Sequence, residues 1–367
     1  MTSKERIKCV LKHEEPDMVP IQDNPWVTTI ERWQKEGMPK KISVSDYFGY
    51  EMAWPKLDVS PQYPIEVMEE NDEFVVERNI YGEIIKYFKD KASTPQIIDS
   101  PIKNRKDWEE LKERLIIDKS RLVTLKYVFV NKTSDILTWK ETLKQFEEDN
   151  AKGRFICPVA LMGFDMIQRY LGTERLLMTM STDPDWVKEM VMTHAKFLIN
   201  LYQYFIDNRV RFDGAFLDND MGYRNGLLFS PNAYKELIFP ADKLMCDYFH
   251  SIDMPVILHS DGDIRKLIPH LIEAGFDCLQ PLEVKANMDV RELKKEYGRK
   301  LSFMGGIDSR LMSDNDPIKI EKEIKSKFEI AKKGGGYIYM SDHSVPNDVS
   351  LSQYKRVLEL VKKYRKY

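Results

Sequence analysis

Short apolar segments that alternate with helical patterns restrict this chain to a small group of folds. Residues 255–258 form an apolar run of strand-like composition, residues 259–262 follow it with the polar sequence His-Ser-Asp-Gly, and a helical pattern starts near Ile264. Buried parallel strands are short apolar runs, and a helix connects each one to the next. The polar residues after such a strand lie at the carboxyl edge of the sheet, where parallel α/β proteins place their active sites.

The same order recurs along most of the chain. Strand-like runs occur at residues 18–22, 155–160, 214–217, 255–258, 278–283, 301–308 and 336–340. Helical patterns occur at residues 166–179, 184–208, 231–251, 264–274, 289–297, 316–332 and 350–365. Strands that alternate with helices favour a parallel sheet, and an eighth strand would close a (β/α)8 TIM barrel.

The amino-terminal part has a different pattern. Residues 3–11 predict a short helix with Ser3 as its N-cap. Residues 74–79 and 84–88 are strand-like and flank a Tyr-Gly-Glu turn, which predicts a β-hairpin inserted at about residues 73–89. A chain of 367 residues is long enough for one large barrel. We predict one domain over residues 1–367, with this hairpin as an insertion.

Composition excludes several classes of partner. The net charge of −3 gives no electrostatic reason to expect binding to nucleic acid or to an anionic membrane. The first residues do not resemble a signal peptide, and no apolar run approaches the length that spans a membrane. Cys9, Cys157, Cys246 and Cys278 form no CxxC pair, which is typical of reduced thiols. We therefore expect a cytoplasmic protein.

Nearly every predicted strand ends in polar residues. These are Asp23, Asn24, Asp165, Asp218, Asn219, Asp220, His259, Asp261, Glu283, Asp308, Asp342 and His343. A hydrophobic core needs none of them, and carboxylates are seldom buried without partners. Asp165, Asp263 and Asp308 have an alternative interpretation as helix N-caps. Together the polar residues indicate either a cation site, with zinc as the favoured ion, or a metal-free acid–base pocket.

His259 and Asp261 lie two residues apart at the end of a predicted strand. Side chains with this spacing point to the same face of an extended segment. The pair is therefore suited to metal binding or to proton transfer. The alternative is that His259 caps the helix that follows or bonds to a backbone carbonyl.

The order and spacing of several motifs resemble the uroporphyrinogen decarboxylase superfamily along nearly the whole chain. The motifs are Arg6 with residues 16–20 (PDMVP), residues 163–165 (GFD) with 170–174 (YLGTE), 183–184 (DP), 218–222 (DNDMG), 230–234 (SPNAY), Pro240, 259–262 (HSDG), 305–308 (GGID) and the turn at His343. The resemblance implies a distorted (β/α)8 barrel whose cleft lies at the carboxyl ends of the strands.

The segment after the first strand separates the two branches of this superfamily. The decarboxylases of haem synthesis carry an arginine-rich segment, of the kind R-Q-A-G-R, that binds substrate carboxylates. Residues 22–26 of this chain read QDNPW. A tetrapyrrole with many carboxylates would lack its arginine partners there. The chain is more similar to the cobamide-dependent methyltransferases, which methylate coenzyme M or demethylate methoxylated aromatics.

The resemblance to these methyltransferases implies a metal site. Their thiol-methylating members bind zinc through His-x-Cys after one strand and another Cys after the last strand. This chain has His259 and Asp261 at the first place, His343 near the second, and Glu283 at the end of the strand between them. We predict His259, Glu283 and His343 as zinc ligands, with Asp261 as a fourth ligand or as a residue that orients them.

The predicted reaction transfers a methyl group between a small methylated substrate and methylcobamide or cobalamin, with O-demethylation as the favoured direction. The chain has no D-x-H-x-x-G motif, so the corrinoid is expected on a separate corrinoid protein. Asp218 and Asp220 are the predicted catalytic residues. Trp26, Asn219 and Tyr223 are predicted to bind the substrate, the two aromatic rings by stacking on it. Self-association as a homodimer is also expected.

Two other functions remain open from the sequence. One is a metal-independent decarboxylase or lyase on the same barrel, with Asp218 or Asp220 as the catalytic group. Its activity would survive removal of metal. The other is a non-enzymatic binding role for a repurposed barrel.

Overall fold

The computed structural model describes residues 1–89, 94–125 and 136–367. In chain order its strands are β1 (Met52–Ala53), β2 (Lys56–Leu57), β3 (Glu66–Glu70), β4 (Phe74–Arg78), β5 (Ile84–Phe88), β6 (Gln96–Asp99), β7 (Thr124–Leu125), β8 (Ile136–Leu137), β9 (Phe155–Ile156), β10 (Val159–Leu161), β11 (Ala215–Asp218), β12 (Gly222–Tyr223), β13 (Gly226–Leu227), β14 (Val256–His259), β15 (Cys278–Gln280), β16 (Ser302–Met304) and β17 (Tyr337–Ile338).

The described residues also form α-helices. They are α1 (Ser3–Leu11), α2 (Val27–Lys35), α3 (Val44–Phe48), α4 (Arg105–Lys112), α5 (Trp139–Ala151), α6 (Gly163–Leu171), α7 (Thr173–Thr182), α8 (Pro184–Asp207), α9 (Pro231–Ala233), α10 (Phe239–Ser251), α11 (Ile268–Ala274), α12 (Val290–Tyr297), α13 (Pro317–Ala331) and α14 (Leu351–Tyr364). Within the described ranges, no helix is both long enough and apolar enough to cross a membrane.

A mostly parallel sheet forms the centre of this mixed α/β structure. Its strand order is β17-β16-β15-β14-β11-β10-β2-β7-β8, and the neighbours from β17 to β2 are parallel. β1 pairs in parallel with β9. Ile21 forms a parallel bridge with Tyr339, and the Glu51 N–H donates to the carbonyl oxygen of Ile21 at 2.9 Å. The first extended segment therefore lies between the last strand and the chain that leads into β1.

Apolar side chains occupy both faces of this sheet. One cluster contains alternate residues of the strands, such as Phe216, Ile257 and Cys278, together with Ile7 and Val10 of α1. A second, larger cluster lies between the strands and the surrounding helices. Burial on both faces explains why the strands read as continuous apolar runs in the sequence.

Three helix predictions need correction. Thr2, not Ser3, caps α1, because its side chain accepts from the Glu5 N–H and the Glu5 carboxylate accepts from the Thr2 N–H. The helix predicted at residues 166–179 is two helices, separated at Gly172, whose φ of +80° ends α6. The helix predicted at 231–251 contains a π-helical segment at Tyr234–Ile238, just before Pro240, which has no N–H to donate.

The predicted hairpin is part of a larger sheet. β4 and β5 pair antiparallel, and β3 and β6 flank them in a separate four-stranded sheet. β3 is exposed along its whole length and contains three glutamates, so it lacks the apolar alternation by which a strand is recognised.

Candidate metal and substrate site

A cleft with a volume of about 990 Å³ lies at the carboxyl ends of the central strands. Six of the nine residues predicted as metal ligands, catalytic residues or substrate contacts line it: Trp26, Asp218, Asp220, His259, Asp261 and His343. β11 and β14 are paired in register with Asp218 opposite His259, so the sheet itself places these two residues side by side. Parallel pairing thus gathers at one edge residues that are far apart in sequence.

His259 is oriented by a neighbour on the next strand. Its Nδ1 lies 2.5 Å from Oε1 of Gln280, the residue opposite it in the pairing of β14 with β15. The amide nitrogen of Gln280 lies 3.2 Å from the Met340 sulfur, which leaves Oε1 to accept from His259. Nε2 of His259 is then directed at Asp220 and Asp261, at 3.6 and 3.8 Å. In protein metal sites, a hydrogen bond from the Nδ1–H group fixes the histidine ring, so that Nε2 is directed at the metal.

Asp261 lies between the two predicted histidines. Oδ1 faces His259, and Oδ2 lies 3.3 Å from Nε2 of His343. Ligand atoms of Asp220, His259 and Asp261 lie within 4.8 Å of one another, and those of Asp261, Glu283 and His343 do the same. Asp261 therefore belongs to both groups, and Oδ1 is buried without a hydrogen-bond partner among the described residues.

The backbone after β14 joins Glu283 to this cluster. The N–H of Gly262 donates to Oε2 of Glu283 at 2.8 Å, and Lys285 Nζ lies 2.8 Å from Oε1. Gly262 has a φ of +85°, and a Cβ there would lie 2.4 Å from the backbone nitrogen of Tyr223. Only glycine fits this turn, which places Asp261 and Glu283 against each other.

The charges in the cluster shift one another's pKa values. Burial alone would lower the pKa of His259, but the carboxylates of Asp261, Asp218 and Asp220 raise it to about 10. Burial would raise the pKa of Asp261, but the two histidines lower it. Burial raises the pKa values of Asp218 and Asp220 despite their proximity to His259. Carboxylates and imidazoles are thus held close enough to interact strongly, as ligands of one shared cation would be.

A buried carboxylate outside the cluster, that of Asp23, anchors the loop that carries His343. Asp23 is buried, accepts from the hydroxyl groups of Ser341 and Tyr354, and has a pKa that burial raises to about 6. The same Ser341 hydroxyl also contacts the carbonyl oxygen of His343. Trp26 stacks on the His343 ring at 6.4 Å between centroids. The turn after the first extended segment and the turn after β17 therefore hold His343 jointly.

Two predicted substrate-binding residues lie elsewhere. Asn219 is completely buried, and its Oδ1 accepts from the Asp165 N–H in the first turn of α6 at 3.1 Å. It caps a helix and does not line the cleft. Tyr223 is 50% exposed in the short β12–β13 hairpin and also lies outside the cleft lining. Asn219 lies between two residues that line the cleft but its side chain faces α6, whereas Tyr223 lies beyond Asp220, where the chain has left the cleft.

Other polar residues at strand ends have structural roles. Asp308 accepts from the Arg310 N–H and caps a 3₁₀ turn, as its N-cap interpretation predicts. Asp342 accepts from the N–H groups of Val284 and Ser309, which links the loops after β15, β16 and β17. Asp165 is close to the charges of Arg169, Asp218 and Asp220, and burial raises its pKa to about 7.

Several cleft residues were not identified from the sequence, and three of them bear on the site. They are Gln280, Trp54 and Lys56. Gln280 and Lys56 each interrupt an apolar strand at a position whose side chain faces inward, and that interruption was the available signal. Burial lowers the pKa of Lys56, and the charge of Asp218 partly offsets this.

Comparison with known proteins gives the family context. A family model described as Uroporphyrinogen decarboxylase (URO-D) matches residues 85–364. Methylated-thiol–coenzyme M methyltransferase of Methanosarcina mazei is 25% identical over 164 residues, and the match spans 42% of this chain and only 39% of that protein. A solved structure, described as a methyltransferase from Methanosarcina mazei, covers 99% of both chains with a TM-score of 0.69 at 14% identity. This second similarity is one of fold.

Proposed function

The chain belongs to the uroporphyrinogen decarboxylase family, and on that premise we propose that it is a zinc-dependent methyltransferase. It moves a methyl group from a small methylated substrate, such as a methoxylated aromatic, to the corrinoid of a separate corrinoid protein. The observation that carries the proposal is the convergence of His259, His343 and Glu283 on Asp261. The partial similarity to a coenzyme M methyltransferase supports the choice of branch.

We infer that the central strands close into a distorted (β/α)8 barrel. Eight extended segments, which start near residues 18, 51, 155, 215, 256, 278, 302 and 337, supply its wall. The bridge from Ile21 to Tyr339 joins the first segment to the last, and the hydrogen bond from Glu51 to Ile21 joins the first segment to the second. One domain that spans residues 1–367, with the sheet β3–β6 as an insertion, follows from this arrangement.

The residues of the site fit a zinc ion. Two imidazoles and carboxylates are ligands that zinc prefers, and Oδ1 of Asp261 is a buried acceptor without a partner. Asp261, Glu283 and His343 would hold the ion, with His259 as a further ligand from the adjoining group. Asp261 is thus assigned a central place rather than an auxiliary one, because it alone belongs to both groups.

A bound zinc ion would act as a Lewis acid on the heteroatom that carries the methyl group. Gln280 holds the His259 ring in the orientation that directs Nε2 to the site. Trp26 forms part of the wall beside His343. Asp218 and Asp220 line the cleft beside His259 and would take the acid–base role at the leaving oxygen. The corrinoid would be held by a separate partner protein and would supply the nucleophile that accepts the methyl group.

Three histidine variants test this proposal. His259→Ala and His343→Ala should each lose bound metal and methyl transfer to cobalt(I) corrinoid while they stay folded, because each removes a ligand from the cluster around Asp261. His270→Ala is the matched control, since His270 lies on α11 and pairs with Glu273 at 3.8 Å, away from the cluster. Metal content, thermal melting and the absorbance change of the corrinoid are measured for all three.

The outcomes separate the functions that the sequence left open. If His259→Ala keeps both metal and activity, the assignment of His259 is wrong. If metal-free protein retains full activity, the metal-independent decarboxylase or lyase is favoured instead. Protein that binds small ligands but catalyses neither reaction would indicate a non-enzymatic role.

A further inference from the structure

Asp261 turns its two carboxylate oxygens toward two different sets of ligand residues. The first set is Asp220, His259 and Asp261, and the second set is Asp261, Glu283 and His343. Oδ1 lies 3.8 Å from Nε2 of His259, whereas Oδ2 lies 3.3 Å from Nε2 of His343. A carboxylate with one oxygen in each set can bridge two ions, which two-metal enzymes hold about 3.5–4 Å apart.

The distances within each set are close to those between ligands of a single ion. Zinc binds nitrogen and oxygen at about 2.0–2.1 Å, so the ligand atoms of a tetrahedral site lie about 3.3–3.5 Å apart. In the first set Nε2 of His259 lies 3.6 Å from Oδ1 of Asp220 and 3.8 Å from Oδ1 of Asp261. In the second set the His343–Asp261 distance is 3.3 Å. Small side-chain movements would therefore let each set close on an ion of its own.

Hydrogen bonds to one turn of backbone hold both sets in place. Oδ1 of Asp220 accepts from the Asp261 N–H at 2.8 Å, and Oε2 of Glu283 accepts from the Gly262 N–H at 2.8 Å. Lys285 contacts the other oxygen of Glu283, but its side chain is 46% exposed and can turn toward solvent when an ion binds. Each set supplies three protein ligands, which leaves an open coordination position of the kind found in catalytic zinc sites.

We infer that the cleft holds two divalent ions, bridged by the carboxylate of Asp261. Zinc suits both sets, because each combines one imidazole with two carboxylates. His259 then binds a second ion and does not complete the site of the ion held by Glu283 and His343. The pair of ions supplies two Lewis acids for one substrate oxygen. The inference rests on the metal site of the proposed function, but it does not depend on methyl transfer.

Metal stoichiometry is the first test. Protein stripped with a chelator is reloaded with Zn²⁺, desalted and analysed for zinc, and we expect two ions per wild-type chain. Asp220→Asn, which keeps an acceptor for the Asp261 N–H, and His259→Ala should each retain one ion. Asp261→Ala should retain neither, because it removes the shared ligand.

A control on the same loop shows whether any lost carboxylate has this effect. Asp263 pairs with Arg265 at 2.7 Å and belongs to neither set, so Asp263→Asn should keep two ions. Thermal melting shows which variants are folded. Electron paramagnetic resonance with Mn²⁺ as the probe reports whether the two ions share a ligand. The wild-type protein should give the spectrum of a magnetically coupled pair, and folded Asp220→Asn should give that of an isolated ion.

The results separate this inference from the proposed function. A single ion in the wild-type protein, an uncoupled spectrum, or two ions retained by folded Asp220→Asn or His259→Ala would each overturn the inference. Methyl transfer by a protein with one ion would overturn it and leave the proposed function in place. Two coupled ions in a protein that transfers no methyl group would support the inference and reject the proposed function.

Discussion

A buried carboxyl group far from the cleft offers a quantitative test of the structure. Asp242 on α10 is fully buried, and one of its oxygens accepts from the Tyr234 hydroxyl at 2.8 Å. The other oxygen has no partner among the described residues. Burial outweighs the hydrogen bond from Tyr234 and raises the pKa of Asp242 to about 7. We predict that Asp242→Asn stabilises the protein above that pH.

The sign and size of the effect follow from linkage. In the unfolded chain this carboxyl group ionises near pH 3.8, whereas in the folded protein it ionises near pH 7. Its contribution to stability is therefore complete below pH 3.8 and is lost as the pH rises through 7. A difference of about three between the two pKa values corresponds to at most about 4 kcal/mol. Asparagine never ionises and avoids this loss.

The assay is chemical denaturation of both proteins at several pH values between 4 and 8. At pH 4 the free energies of unfolding should be similar, because protonated Asp and Asn each leave one buried polar group unpaired. By pH 8 the variant should be more stable. Other buried groups, such as Asp23, titrate in both proteins, so their effect cancels in the difference between the two free energies of unfolding.

A control on the same helix isolates the effect of burial. Asp247 is 59% exposed and pairs with Lys243 at 2.8 Å, so Asp247→Asn should change stability by only about 0.5 kcal/mol. If Asp242→Asn is no more stable than wild type at pH 8, or if the difference does not depend on pH, the assignment of a buried, largely unsatisfied carboxyl group is wrong.

Two further predictions concern the cleft. Gly262→Ala should lose metal and stability together, because its Cβ would lie 2.4 Å from the Tyr223 nitrogen. The control is Gly334→Ala, where φ is +69° and no atom lies within 4 Å of the new Cβ. This variant should keep its metal and lose about 1 kcal/mol of stability. Metal analysis and melting of the two variants check this, and metal retained by Gly262→Ala would contradict it. Uroporphyrinogen should not be decarboxylated, since residues 22–26 contain no arginine to bind its carboxylates. Porphyrin products with fewer carboxylates would reverse the choice of branch.

Periodicity in the sequence determined much of the fold. Apolar runs at residues 255–258 and 278–283 predicted parallel strands, and the structure has β14 and β15 there. This works because a strand buried on both faces must be apolar throughout, which leaves a local signal. β3 left no such signal, because it is exposed and acidic.

The positions of polar residues at strand ends were enough to identify the candidate site residues. The same positions did not show which role each residue has. His259 and Asp261 are neighbours in sequence, and their common direction follows from extended geometry alone. Asn219 has the same polar character as its neighbours, yet it caps α6, because the chain after β11 turns its side chain toward Asp165.

Only the tertiary structure decided which residues meet. Gln280 reaches His259, and Asp261 lies between His259 and His343, because parallel pairing sets the register between strands that are distant in sequence. Lys56 enters the cleft for the same reason, since its pairing with Val159 brings a segment near residue 56 beside one near residue 159. Local sequence fixes the direction of each side chain along its own strand. The distance between side chains on different strands depends on how the whole sheet pairs and curves, and no local pattern encodes that.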